Sequence, residues 1–381
     1  MNKVIYLDYN ATTPVDRRVL EAMHQAFTEH FANPSSRTHA YGWAANQLVD
    51  EARTRIAQHL GASPEELVFT SGATEANNLA IKGLATQSKK RHIITSAIEH
   101  PAVLEPCGFL ERQGFRITRV PVDKGGVVDP EAVAQAIQED TLLVSIMLVN
   151  NEIGTIQPVA EIARLCHERG VLVHCDATQG VGKLPVNVQA LGVDMLSLSA
   201  HKFYGPKGVG LLYLRRRRPP IQLVPLFHGG GQEQGLRAGT LNVPGIVGMA
   251  KALELAAEEL PAEQRRLGEL RDLLRDRLYD AFPRLLENGH PARRVANTLN
   301  VAFPGVDGGA LLASLPLLAV SPASACATAK PKPSHVLLAI GRSPEEATSA
   351  LRFSLGRPTT QEEVERAAQM VTEALGKLAR R

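Results

Sequence analysis

Cysteine is scarce in this chain. Four occur in 381 residues, Cys107, Cys166, Cys175 and Cys326, and none forms a C-x-x-C pair. Neither a zinc knuckle nor a redox dithiol is indicated, and so few thiols fit a reducing compartment. Long apolar runs are missing too. The amino-terminal "MNKVIYLDYNATTP" holds nothing suited to a signal peptide, and no segment reaches the ~18 uninterrupted apolar residues of a membrane span. The expectation is a cytoplasmic protein with no membrane partner. Nor does one sign of charge dominate: 42 Lys+Arg against 39 Asp+Glu leave +3, so no large field argues for a nucleic-acid partner. The run RRRR at 215–218 has no interleaved aromatics and reads as a solvated loop.

What is present suits a folded globular protein, with 44% hydrophobic and 21% charged residues, and the length suggests two or three domains. Between about residues 15 and 255, helix-like and strand-like segments alternate. "DRRVLEAMHQAFTEH" and "NQLVDEARTRIAQHL" have helical apolar spacing, the second stopped by Gly61. "ELVFT", "RHIITSAIEH", "FRITRVPVD", "TLLVSIMLVNN", "VLVHCDATQG" and "DMLSLSAHK" read as strands. Strands alternating with helices imply a mainly parallel sheet covered on both faces. After Pro261 the texture changes to a charged helix followed by "RVANTLNVAFPG" and "SALRFSLG", which suggests a smaller α+β unit with the extended first dozen residues packed on it. The expected division is a large unit, 14–261, and a small one built from 1–13 and 262–381. Within the latter, "SPASACATAKPKPS" at 321–334 reads as an exposed loop of small residues and prolines.

One residue resists that bland description. Lys202 follows His201 at the mouth of an apparently buried strand, and lysine seldom enters an interior without a partner. In an open α/β sheet, ligands bind beyond the carboxyl ends of the strands. Asp176, His100, the pair Asn150–Asn151 and the "SGAT" that follows "ELVFT" all fall at such ends. A single terminal Asp or His reads as a cap, but five strand ends on one rim point to a site. "SGAT" offers helix N-terminal N–H groups and the Thr74 hydroxyl to a phosphate. An aspartate can keep a pyridine nitrogen protonated and a lysine can form a Schiff base. These are the parts of a pyridoxal phosphate site.

The blocks "LDYNATTP", "FTSGATEANNLAIKG", "NNEIGTIQP", "HCDATQGVGKLPV", "SAHKFYGPKGVG", "HGGG" and "LRFSLGR" resemble, in order and spacing, the cysteine desulfurases of the NifS/IscS type in the class V aminotransferase family. The likeness runs from residue 6 to about residue 365. It implies a pyridoxal-phosphate type I transferase fold, an α/β architecture with a mainly parallel seven-stranded sheet, working as a homodimer on L-cysteine. By the same resemblance Lys202 is the Schiff-base lysine and Asp176 pairs with the pyridine nitrogen. His100 stacks on the ring and shuttles a proton, and Gln179 and Asn151 touch the ring hydroxyl or the substrate. Ala73, Thr74, Ser199 and His201 hold the phosphate, with Thr240 reaching the partner subunit's phosphate site. Arg352 clamps the substrate carboxylate, and Asn33 and His39 line the substrate mouth.

In the family a loop cysteine receives the substrate sulfur as a persulfide, commonly within Ser-Gly-Ser-Ala-Cys. Cys326 takes that place here, in "SPASAC", where Pro322 and Ala323 depart from the pattern. The other three cysteines fall in predicted helices or a strand and read as buried thiols. A sulfur-acceptor protein, for iron–sulfur cluster assembly or for tRNA or cofactor thiolation, is the implied partner. No resident metal is expected, beyond transient ligation of a cluster by Cys326 in a complex. The alternatives are a selenocysteine lyase or another class V aminotransferase, which has no use for a loop thiol, and a non-catalytic sulfur relay that kept the fold.

Overall fold

A computed structural model describes residues 4–322 and 333–378. Thirteen strands are assigned among them: β1 (Ile5–Tyr6), β2 (Leu67–Thr70), β3 (His92–Ser96), β4 (Arg116–Val120), β5 (Thr141–Ser145), β6 (Leu172–Asp176), β7 (Met195–Ser199), β8 (Gly210–Leu214), β9 (Leu286–Asn288), β10 (Thr298–Ala302), β11 (Leu318–Ala319), β12 (Ser321–Pro322) and β13 (Ala350–Ser354). Seven form the main sheet in the order β2-β8-β7-β6-β5-β3-β4. The pairs from β7 through β4 are parallel, while β8 runs antiparallel to both β7 and β2. Short aliphatic runs such as "TLLVS" and "MLSLS" are buried at every position because helices cover both faces. The edge strand β4, "RITRV", instead exposes Arg116 and Arg119, charges that discourage another chain from pairing there.

Strand β8, "GLLYL", is not among the segments singled out from the sequence, although its five residues, four of them apolar after a glycine, lead straight into an arginine run. Two other strands end earlier than read. β3 stops at Ser96, and His100 then caps the helix Pro101–Glu111 in an extended conformation that the following proline favours. β5 stops at Ser145, and Asn150 Oδ1 accepts the N–H groups of Glu152 and Ile153 to close a side-chain turn.

A second sheet, order β12-β13-β10-β9, is antiparallel throughout, and β1 pairs in parallel with β11. The N-terminal segment therefore lies against this part of the molecule, with Asp8 also bridging to Ser354. The helix Val243–Ala281 connects the two regions and continues through Pro261, where the sequence suggested a change of element. Proline removes one helix hydrogen bond, but each half is held by its own apolar stripe. Ile246, Met249 and Leu253 pack into the core of the large sheet, and Leu267, Leu270, Leu274 and Leu278 into the core of the small one. Among the described residues, no helix is long and apolar enough to cross a membrane.

Candidate active site

β6 and β7 are neighbours, with Asp176 opposite Ser197. The chain leaves β7 at Ser199 and turns through Ala200–Lys202, which sets the lysine just beyond the strand ends, as the sequence spacing requires. There it lines a cavity of about 510 Å³ together with Ala73, Thr74, His100, Asn151, Asp176, Gln179, Ser199, His201 and Arg352. Ten of the residues singled out in the sequence thus share one space.

The lysine amine is held from behind. Lys202 Nζ donates to the carbonyl oxygens of Asn10 at 2.8 Å and Ala11 at 2.7 Å. Burial lowers its pKa to about 8, the Arg352 guanidinium pushes in the same direction, and Asp176 and Asp8 oppose it. Far more free amine is therefore available near neutral pH than an ordinary lysine provides. Asp176 is buried and accepts two hydrogen bonds, from Asn77 Nδ2 at 2.7 Å and from the Thr178 N–H at 3.0 Å.

His100 Nδ1 accepts the Ala102 N–H at 3.0 Å, leaving Nε2 as the proton-bearing nitrogen of the neutral ring. Burial lowers its pKa, with Lys202 and His335 contributing, against an opposing pull from Asp176. His201 is driven down to about 4, again mainly by burial and then by Lys202 and Lys207, and its Nδ1 lies 3.0 Å from Thr12 Oγ1.

Gly72 opens the helix Ala73–Asn78 at φ 156°, a left-handed value that a side chain disfavours, and no side chain caps that first turn. A Cβ on Gly210 would lie 2.5 Å from Gly72 Cα, so two glycines allow β8 to approach the helix start. Uncapped N–H groups beside the Ser199 hydroxyl suit an anion such as a phosphate. Two buried polar atoms at the cavity residues have no partner, Arg352 Nε and Thr178 Oγ1. Together with a buried aspartate and a weakly basic lysine, this donor set fits pyridoxal phosphate with its phosphate at the helix start.

Arg352, on β13, comes from the small sheet. Its Nη2 donates to Asp8 Oδ1 at 2.7 Å and Ser321 Oγ at 2.9 Å, and its Nη1 to the Asn151 carbonyl at 3.1 Å. The guanidinium is thus fixed in orientation, which is what bidentate recognition of a carboxylate needs.

Cys326 lies outside the described residues. Its neighbours on either side are tied down: Ser321 to Arg352 and Asp8, and Ser334 to Glu152 Oε2 at 2.5 Å while capping the helix His335–Ala339. Cys107, Cys166 and Cys175 are buried, as expected, and burial pushes the first two thiols up to about 12 and the third well above its ordinary value.

Asn33, His39 and Thr240 do not line this cavity in the single chain. Asn33 Oδ1 accepts the Ser35 N–H, and His39 caps the helix Ala40–Leu60. Nearby residues, 34–37, 231–233 and Leu241, border a separate open groove of about 1200 Å³. Asn10, Asn77, Thr178 and Lys183 are site neighbours that the sequence reading passed over. A signal for Asn77 existed, since it follows Thr74 by three residues, about one helical turn. Nothing comparable marked Asn10, which reaches the site only through tertiary pairing.

Residues 5–367 match the model of the family described as "Aminotransferase class-V". A cysteine desulfurase IscS of Anaeromyxobacter sp. (strain Fw109-5) is 52% identical over 98% of this chain and 93% of its own length. A solved structure described as a NifS-like protein superposes with a TM-score of 0.92 at 43% identity, covering 98% of this chain and all of that one. Another, SspA in complex with cysteine, gives 0.83 at 43% identity, over 92% of this chain and 98% of its own. With a lysine, an aspartate and an uncapped helix start meeting on such a sheet, the chain belongs to the class V aminotransferase family, in its cysteine desulfurase branch.

Proposed function

We propose that this chain is a pyridoxal-phosphate-dependent cysteine desulfurase, which converts L-cysteine to L-alanine and moves the sulfur onto Cys326 as a persulfide. The observation that carries the reading is Lys202, its amine lowered to about 8, in one cavity with Asp176 and Arg352. The cysteine bound in the related SspA structure supports the same substrate here.

When bound, pyridoxal phosphate supplies an aldehyde that condenses with amines and a protonated ring that withdraws electrons from the substrate Cα. Ala73, Thr74, Ser199 and His201 hold its phosphate. Asp176 keeps the ring nitrogen protonated, and Gln179 and Asn151 orient the ring and substrate. Arg352 binds the substrate carboxylate. Lys202, once free, takes the Cα proton and returns it, as general base and then acid. In this reading His100 moves the proton of the attacking thiol. The Cys326 thiolate attacks the substrate sulfur, so that the substrate C–S bond breaks and an S–S bond forms. The carbon left behind gains the proton and departs as alanine, which balances the reaction without an added oxidant or reductant. The three buried thiols, with raised pKa values, leave this step to Cys326.

In this reading a large unit, 14–261, binds the cofactor, and a small unit, 1–13 with 262–381, brings Arg352 and the thiol. The working form is a cytoplasmic homodimer in which Thr240 of each chain completes the phosphate site of the other. Asn33 and His39 line the substrate mouth. The sulfur passes to an acceptor protein for iron–sulfur cluster assembly or thiolation. Purified chain supplied with pyridoxal phosphate and L-cysteine should release alanine and, with a thiol reductant, sulfide in equal amounts. Cys326→Ser should lose both products while keeping the cofactor's absorption band. Unchanged turnover in that variant, or a wild-type chain that takes up no cofactor, overturns the reading.

A further inference from the structure

Lys183 plays no part in the chemistry outlined above, yet it sits behind it. Its Nζ donates to Asn10 Oδ1 at 2.9 Å and to Gln179 Oε1. Gln179 Nε2 in turn donates at 2.8 Å to the Asn10 carbonyl, the same oxygen that receives Lys202 Nζ. The three side chains close a ring around Asn10, and Lys202 rests on its rim. Both partners of Lys183 are carboxamide oxygens and neither is a carboxylate. A neutral amine has two N–H groups, and two acceptors are present. An ammonium would have a third proton and a charge without a counter-ion.

We infer that Lys183 is a positioning residue of the site, an amine that fixes the Gln179 carboxamide and the Asn10 carbonyl and thereby sets where Lys202 stands. It does this uncharged. Burial, then the like charges of Lys202 and Arg352, push its pKa well below the ordinary lysine value. The remaining face of Lys183 borders a chamber of about 30 Å³ shared with Lys202, Tyr9, Tyr204 and Glu263, room enough for a water to meet the free lone pair. Glu263 is the one acid on that wall, and it is engaged by Arg357. The acids that act on Lys202 are Asp176, on the wall of the larger cavity, and Asp8, which is paired with Arg352. The inference rests on the proposed function for its consequence to catalysis, but not for the state of the lysine.

Two measurements test it, the first on the full-length chain without cofactor. NMR of isotope-labelled lysine, with the Lys183 signal assigned by its loss in Lys183→Met or Lys183→Arg, should show an uncharged amine at pH 7. Lys183→Arg should lower the titration midpoint of Lys202 by about one unit, because it adds a permanent like charge, and Lys183→Met should not raise it. An ammonium signal at Lys183 that titrates near the ordinary lysine value, or a midpoint raised by Lys183→Met, overturns the inference.

In the loaded enzyme, Lys183→Met should shift the pH dependence of the bound cofactor's absorption. It should also lower kcat roughly tenfold, the scale of one lost hydrogen bond, with KM for cysteine kept within about twofold because Lys183 touches no carboxylate-binding group. An unaltered spectrum and kcat overturn the positioning role. A chain that takes up no cofactor at all defeats the proposed function instead, while the lysine titration still decides this one.

Discussion

Asp8 Oδ1 lies 2.7 Å from Arg352 Nη2, so the guanidinium that faces the site is paired with a carboxylate of its own chain. An incoming substrate carboxylate has to share that charge. Asp8→Asn should therefore strengthen substrate binding, with KM for cysteine falling severalfold and kcat changing less. Asp8 also raises the Lys202 pKa, so the variant should move the Lys202 midpoint below about 8. Steady-state kinetics at fixed pH tests the first statement, and a rise in KM would show that Asp8 serves instead to aim the arginine.

The lowered pKa of Lys202 has a direct kinetic signature. Only the uncharged amine can condense with an aldehyde. Uptake of pyridoxal phosphate by the cofactor-free chain should accelerate about tenfold per pH unit below about 8 and level off above it. Stopped-flow absorbance across the range gives the profile. Continued acceleration toward pH 10 would mean an ordinary lysine. In Lys202→Ala the same trace should lack the covalent phase, and turnover should drop by ~10²–10⁴ or more with the loss of the base.

Asn77 is fully buried and donates to Asp176 Oδ2. Asn77→Leu roughly keeps the side-chain size and removes that donor, leaving the Thr178 N–H on the carboxylate. A hydrogen bond to a charged group contributes about 1.5–3 kcal/mol, so the affinity for cofactor should fall by roughly tenfold or more. Equilibrium dialysis reads it. An unchanged affinity would mean that the asparagine only packs.

Glu99 is buried, and desolvation carries its carboxyl up to about 8 against the hydrogen bonds from Ser96 and Met147. Its folded pKa is thus raised above the unfolded value of about 4.3. Between those values the native state holds a proton that the unfolded chain releases, so this group's contribution to stability falls as pH rises. The substitution Glu99→Gln imitates the protonated acid and never ionises, and the Glu99 Oε2 that it replaces has no partner here. Between about pH 5 and pH 9, the melting temperature of wild type should therefore drop relative to that of the variant. Parallel melting curves would contradict the assignment.

Local pattern made much of this molecule readable. Asp16 opens the helix Arg17–Thr28 and Gly61 closes the helix Ala40–Leu60 as the sequence announces, but the second helix already begins at Ala40, behind the cap His39 and six residues ahead of the apolar pattern at Asn46. Most strands of the large sheet are short aliphatic runs bounded by polar residues, and Asp176 and Lys202 follow from strand ends. β8 escaped because its neighbours, "GPKGVG" and "RRRR", look like loop on either side. The helix through Pro261 was hidden because packing on two cores outweighs the local preference of one proline. The contacts of Asn10 with Lys183 and Lys202, and of Asp8 with Arg352, join residues more than a hundred positions apart, and no local periodicity encodes them.

The carbonyls that grip Lys202 come from the eleventh residue and the one before it, and those residues are seated by the far end of the chain. β1 pairs with Leu318–Ala319, and the Asn10 N–H reaches Ser354 Oγ. During synthesis the lysine and aspartate emerge well before that latch exists. A ribosome must add some 150 further residues after Lys202 before the opening segment finds its seat. Until then the reactive amine has no fixed address, and a prematurely released fragment carries the ingredients of the enzyme without its aim.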